Sequence, residues 1–268
     1  MKKIFIILSF ILSLDSLALN CNNATRKVIF DEDTKGIVLI VHGLNLSPEK
    51  METLGNYYKS QSLSPLYVKL TGHTENSKWD QVNKDRWIKD FYLPLCQAYL
   101  NSKELKVPMY ALGYSLGAVV IQNSIEKFNA PFKSVTYIAP AFKTRWYTSF
   151  INILFKVGFE FSLPSGNFVE YRAKPNTGLK AYKAMYEIEK QLEYKDSISK
   201  LILMDKRDEL IDFYSTQTLC ENSKNCKFVE ISSRPTRNEK SIYHLAIDPA
   251  TLGQKAWKKL TSKIGLSL

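Results

Sequence analysis

Pro108-Met109-Tyr110-Ala111-Leu112-Gly113-Tyr114-Ser115-Leu116-Gly117-Ala118-Val119-Val120 holds three patterns in thirteen residues. A short apolar run, Pro108 to Leu112, has the length of a strand buried on both faces and is closed by Gly113. Leu116 to Phe128 then reads as a helix. Between them lies Gly113-Tyr114-Ser115-Leu116-Gly117, a Gly-x-Ser-x-Gly sequence at a strand-to-helix junction. A serine there sits on a tight, strained turn, and each glycine lets backbone pass where a side chain would collide. The turn lifts the hydroxyl into a cleft and aims the amino end of the helix at it, so backbone N–H groups can meet negative charge.

The same rhythm extends in both directions. Ile37 to Val41 is the clearest further strand, stopped by His42-Gly43, and Leu66 to Leu70 runs into Thr71-Gly72-His73. Val135 to Ala139, Leu201 to Met204 and Lys227 to Ile231 follow, with Val28 to Phe30 as an early antiparallel edge strand. Helical stretches fall between them, such as Pro48 to Gln61, Lys84 to Leu100 and Pro249 to Ser262. Alternating strands and helices predict an α/β fold, an open sheet with helices on both faces. One stretch breaks the alternation. From Phe142 to about Lys195 no strand fits, while Trp146, Tyr147, Phe150, Phe155, Phe159, Phe161, Phe168 and Tyr171 crowd together, the pattern of an inserted, largely helical lid over 142–195.

Serine is a poor nucleophile at neutral pH and needs a base in hydrogen-bond reach, usually a histidine held by a carboxylate. His42 and His73 each follow an early strand, whereas His244 lies beyond the last one. Where the chain order is nucleophile, acid, histidine, His244 alone qualifies. The acid should leave the end of the strand Leu201 to Met204, within Asp205-Lys206-Arg207-Asp208-Glu209-Leu210-Ile211-Asp212. Asp208 is the first choice, then Asp205, then Asp212; a helix-capping role for Asp208 is the competing reading. The turn His42-Gly43-Leu44-Asn45 should bring the Leu44 N–H opposite that of Leu116, as two donors to a developing oxyanion.

With 268 residues, 45% of them hydrophobic, the chain can form one substantial domain, and disorder is excluded. Lys2 and Lys3 precede an uncharged run from Ile4 to Leu14, too short to span a bilayer but of signal-peptide length. Ser16 and Ala18 fit a cleavage after residue 18. Residues 1–18 are thus expected to be a signal peptide and 19–268 the mature domain, exported to the periplasm or outside the cell. Lipid attachment at Cys21 is the minor alternative, disfavoured by Asn20 before it. Export would let Cys21, Cys96, Cys220 and Cys226 pair. Cys220 and Cys226 are near enough to close a small loop, which leaves Cys21 with Cys96; a buried, unpaired Cys96 stays open. No Cys-x-x-Cys occurs and the histidines are scattered, so neither a thioredoxin motif nor a zinc site is indicated. The net charge of +11 favours anionic surfaces such as a membrane, but its lysines are dispersed rather than clustered with aromatics, which argues against nucleic acid.

Val41-His42-Gly43-Leu44, Thr71-Gly72-His73, Gly113 to Gly117, Lys206 to Leu210 and Tyr243-His244 together resemble the α/β-hydrolase superfamily, within it the monoglyceride lipase, lysophospholipase and carboxylesterase group. The resemblance covers nearly the whole chain after the leader. It implies a mostly parallel sheet of about eight strands, a lid between the sixth and seventh, and no cofactor or metal. It also implies hydrolysis of a small-molecule ester of lipid type, a monoacylglycerol or lysophospholipid, through an acyl-enzyme on Ser115. Amide or peptide cleavage, acyl transfer, or a non-catalytic lipid- or partner-binding role on the same framework are the alternatives; the oligomeric state is not readable. Two positions depart from the group: Gly72-His73-Thr74-Glu75-Asn76 replaces Gly-His-Gly-x-Ser, and Asp205 stands where glycine is common.

Overall fold

The computed structural model describes residues 19–21, 30, 33–145, 161–195, 197–234, 242–265 and 267. The expected leader, most of the Val28 to Phe30 strand and the aromatic stretch 146–160 lie outside these. The main sheet has six strands: β1 Ile37–Val41, β2 Ser64–Val68, β3 Met109–Tyr114, β4 Ser134–Ile138, β7 Ser199–Met204 and β8 Cys226–Glu230. Their order is β2-β1-β3-β4-β7-β8, and every pairing is parallel. About eight strands were expected; six form this sheet among the described residues. Two more, β5 Ser162–Pro164 and β6 Asn176–Gly178, make a separate antiparallel ribbon.

The helices are α1 Glu52–Ser60, α2 Lys84–Leu105, α3 Leu116–Phe128, α4 Leu179–Glu189, α5 Phe213–Glu221, α6 Pro249–Leu252 and α7 Gln254–Gly265. β1, β3 and β4 are buried along their whole length, as expected of parallel strands covered on both faces. The core accordingly divides in two. One layer packs Ile37, Leu39 and Val41 against Trp87, Phe91 and Val119; the other packs Val38, Ile40 and Leu112 against Leu54, Leu252 and Leu260.

The segment expected to be a helical lid is mixed among its described residues, with the β5–β6 ribbon, irregular chain and α4. Neither strand has the β-branched run that would have betrayed it; each is three residues long. The cysteines form two disulfides, Cys21–Cys96 and Cys220–Cys226. The first resolves the open alternative for Cys96 and fastens residues 19–21 to α2.

Candidate active site

Because the main-sheet strands run the same way, β1, β3 and β7 deliver their following loops to one edge. β3 ends at Tyr114, and Ser115 follows with φ 51° and ψ −111°, a conformation that costs energy for any residue other than glycine. The neighbouring glycines explain how the turn is tolerated. A Cβ on Gly117 would stand 2.2 Å from the Val41 carbonyl oxygen, and one on Gly113 2.5 Å from the Ala118 nitrogen. The first turn of α3 is therefore pressed against β1, with Leu116 as its first residue and its N–H at the helix end beside Ser115.

β7 ends at Met204 and leads into Asp205 to Asp212. Asp208 is fully buried. Its Oδ1 accepts the N–H groups of Leu210 and Ile211, both at 2.8 Å, and its Oδ2 accepts from His244 Nδ1 at 2.8 Å. With Nδ1 carrying the proton, His244 Nε2 is the acceptor facing Ser115 Oγ, 3.0 Å away. The structure thus brings together Ser115, Asp208 and His244, residues separated by up to 129 positions in sequence.

The rival carboxylates are engaged elsewhere. Asp205 holds Arg207 through both oxygens and accepts the Ser233 N–H at 2.7 Å; burial would raise its pKa, but these donors bring it below the usual range. Asp212 caps α5 by accepting the Ser215 N–H at 2.7 Å, which lowers its pKa. The capping role considered for Asp208 therefore belongs to Asp212.

Several residues given no individual role from sequence hold this arrangement. The Glu209 carboxylate accepts the N–H groups of Tyr243 and His244 at 2.9 and 3.0 Å. Tyr114 donates its hydroxyl to the His244 carbonyl at 3.1 Å, and Arg207 lies 3.9 Å over the Tyr243 ring. Only adjacency to the acid could have hinted at Glu209; the partners it holds lie more than thirty residues away.

His42 and His73 serve the loop after β1. The Nδ1–H of His42 donates to the Gly43 carbonyl at 2.9 Å, while its Nε2 accepts the Leu70 N–H at 3.1 Å. In a trans peptide the Leu44 N–H points opposite the Gly43 oxygen, so the imidazole that fixes the one aims the other. Burial pulls the pKa of His42 down to about 4. Burial, reinforced by neighbouring His42, drives His73 well below its ordinary range.

A cavity of about 500 Å³ opens over Ser115 and His244, within the size range of small-molecule sites. Leu44, Phe168, Tyr182, Met185, Leu210 and Ile242 supply much of its apolar wall. Among the described residues no three His, Cys, Asp or Glu side chains converge in a way that could hold a metal ion.

The family model described as Serine aminopeptidase, S33 (Hydrolase_4) matches residues 32–165, half of the chain. That span includes Ser115 and the loop after β1, whereas Asp208 and His244 lie beyond it. No curated protein matches the sequence. Solved structures with the same fold include a lipolytic enzyme from the metagenome-derived pair LipS and LipT, at 17% identity and a TM-score of 0.66, covering 88% of this chain and 94% of that one. The monoglyceride lipase of Saccharomyces cerevisiae, solved with a substrate analog, is 11% identical at a TM-score of 0.68, with 87% and 86% covered. Est1E from Butyrivibrio proteoclasticus, solved with ferulic acid, is 14% identical at 0.60, with 87% and 91% covered. At these identities the likeness speaks for the fold, while the family match reaches across half of the sequence: this chain belongs to the α/β-hydrolase family described as Serine aminopeptidase, S33.

Proposed function

We propose that this hydrolase cleaves carboxylic esters through an acyl-enzyme on Ser115, and that its substrate is a lipid-type ester such as a monoacylglycerol or lysophospholipid. The observation that carries the reading is the unbroken relay Asp208–His244–Ser115, with links of 2.8 and 3.0 Å. His244 Nε2 takes the proton from Ser115 Oγ as the oxygen adds to the ester carbonyl. The tetrahedral oxyanion is met by the N–H groups of Leu44 and Leu116, each contributing about 3 kcal/mol to the transition state. Collapse breaks the bond to the alcohol oxygen, to which His244 returns the proton. Water then adds to the acyl-enzyme by the same steps and the carboxylic acid leaves, regenerating the serine. Asp208 orients the ring and stabilises its charged form.

Three features favour an apolar substrate met at a surface. The cavity wall is largely hydrophobic. Leu210 on that wall and Val169, next to the lining residue Phe168, are exposed large apolar side chains, Val169 to 72%. The net charge of +11 suits an anionic membrane surface. No helix among the described residues is long and apolar enough to cross a membrane. Two disulfides accord with an exported mature chain of residues 19–268 in an oxidising compartment. With its sulfur joined to Cys96, Cys21 has no thiol left for lipid attachment. A lid role for the chain between β4 and β7 belongs to the same reading.

Turnover of short- and long-chain esters, monoacylglycerol, lysophospholipid and aminoacyl amides, by wild type and Ser115→Ala, tests the proposal. Ester hydrolysis that rises with acyl length and vanishes in Ser115→Ala is expected. The description of the matched family favours an aminopeptidase as the second reading, and amide turnover without ester turnover would put it first.

A further inference from the structure

Asn45 is 2% exposed and lies in the left-handed region with φ 50°. Every polar atom of this residue is engaged, and its partners fall into two groups. Its backbone N–H donates to His73 Nε2 at 2.9 Å, an acceptor because His73 Nδ1 faces the carbonyls of Leu70 and Thr71 at 3.2 and 3.3 Å. The remaining bonds reach the chain between β4 and β7. Asn45 Nδ2 donates to the Lys174 carbonyl at 2.9 Å and to Thr177 Oγ1 at 2.8 Å. Its Oδ1 accepts the Lys174 N–H at 2.9 Å. The backbone carbonyl accepts from Asn167 Nδ2 at 3.0 Å and from the Ala173 N–H at 3.1 Å. The Ser47 N–H adds a bond to the Tyr171 carbonyl at 2.8 Å.

This segment also forms a wall of the cavity, through Ser165, Gly166, Asn167, Phe168 and Thr177. Leu44, whose N–H is the proposed oxyanion donor, thus stands between two fixed peptide planes. His42 holds the plane before it; the plane after it ends at the Asn45 N–H held by His73. Asn45 in turn is held by the wall that an acyl group would press on.

We propose that Asn45 is a positioning residue that couples the seating of residues 165–177 on the bound acyl chain to the placement of the Leu44 N–H. The inference rests on the ester-hydrolase reading of Ser115 and deepens it. Energy from the remote part of a substrate raises kcat only if it reaches the reacting centre, and the Asn45 side chain supplies the connection. Longer acyl chains should therefore raise kcat in the wild type as well as lower KM, whereas without the latch they should lower KM alone.

The test measures kcat and KM for 4-nitrophenyl acetate and 4-nitrophenyl octanoate in wild type, Asn45→Gly and Asn45→Asp. Asn45→Gly keeps access to positive φ and removes every side-chain bond. Asn45→Asp keeps the shape and the acceptor for the Lys174 N–H but loses the donation to the Lys174 carbonyl. A wild-type kcat larger for octanoate, with that gain abolished in both variants and octanoate kcat about tenfold lower or more, is expected. The lower KM for octanoate and the circular dichroism spectrum should be retained. Octanoyl trifluoromethyl ketone, which forms a tetrahedral adduct, should bind more weakly in proportion to kcat, whereas octanoate product should not; a role in folding alone would not separate the two. A preserved chain-length gain in kcat in soluble, folded Asn45→Asp would overturn the coupling, as would its absence in the wild type. Failure of a fluorophosphonate to label Ser115 in the wild type would instead overturn the hydrolase reading and this inference with it. Normal labelling beside an unaltered Asn45→Asp would overturn the coupling alone.

Discussion

Acidification through the histidine range should weaken this fold by an amount that two buried rings define. His42 is held neutral, its Nδ1–H on the Gly43 carbonyl and its Nε2 accepting from Leu70, and its pKa falls from 6.5 to about 4. In the unfolded chain the ring binds a proton below pH 6.5; in the folded chain it does so only near pH 4. Across that window the unfolded state carries more protons, so stability is complete above pH 6.5, declines as the pH falls and levels off once the folded ring is protonated. At about 1.4 kcal/mol per pKa unit, His42 alone costs about 3 kcal/mol by pH 4. His73 shifts in the same direction, so the limiting slope of unfolding free energy approaches about 3 kcal/mol per pH unit. Glu49, held near 2 first by the Ser47 hydroxyl and then by Lys69, adds an acid-labile contribution, but one lost only below the ordinary glutamate range of 4.5. Urea unfolding followed by tryptophan fluorescence at half-unit steps from pH 7.5 to 4.5 reads the slope. His42→Gln should lower it by about one proton. A flat stability between pH 6.5 and 4.5, or a slope unaltered in His42→Gln, would refute the assignment of these rings as neutral hydrogen-bond pins.

Asp208→Asn should reduce ester turnover by about 10³- to 10⁴-fold with little change in melting temperature. The Leu210 and Ile211 N–H groups will hold the amide oxygen, so its NH₂ faces His244 Nδ1 and forces the tautomer that points a proton at Ser115; near-normal rates would move the acid to Asp205 or Asp212. Gly117→Ala should destabilise by about 3 kcal/mol or more, since the new Cβ meets the Val41 carbonyl. Gly166→Ala, where nothing lies within 4 Å of the added carbon, should stay within about 0.5 kcal/mol. Glu209→Gln places an NH₂ against the Tyr243 or His244 N–H, and kcat should fall about tenfold with KM little changed; unaltered kcat would show that Glu209 does not set the ring.

Local pattern carries the parts of this fold in which one element decides its own conformation. Ile37–Val41 and Leu116–Phe128 fall where the sequence puts them, because a buried parallel strand and the helix after a glycine turn declare themselves in contiguous residues. β2 begins at Ser64, two residues before the apolar run Leu66 to Leu70, because its register against β1 pairs Ser64 with Ile37 and Val68 with Val41. Strand partners, not the run itself, set those ends. β5 and β6 depend wholly on one another and leave no local trace. Ser115 and His244 are legible because chain order restricts the choices. Asp208 ranks first from its place after the strand, but Asp205 and Asp212 stay as rivals in sequence, since the decision lies in which carboxylate Arg207 occupies and which one caps α5. Asn45 was hidden for the same reason, its side-chain partners lying about 130 residues away.

Intact-mass and peptide analysis after reaction with a fluorophosphonate addresses the nucleophile itself. One adduct per chain is expected, located on Ser115, absent in Ser115→Ala and formed at least about a hundredfold more slowly in His244→Ala. An adduct on another residue, or equal rates with and without the imidazole at position 244, would contradict it.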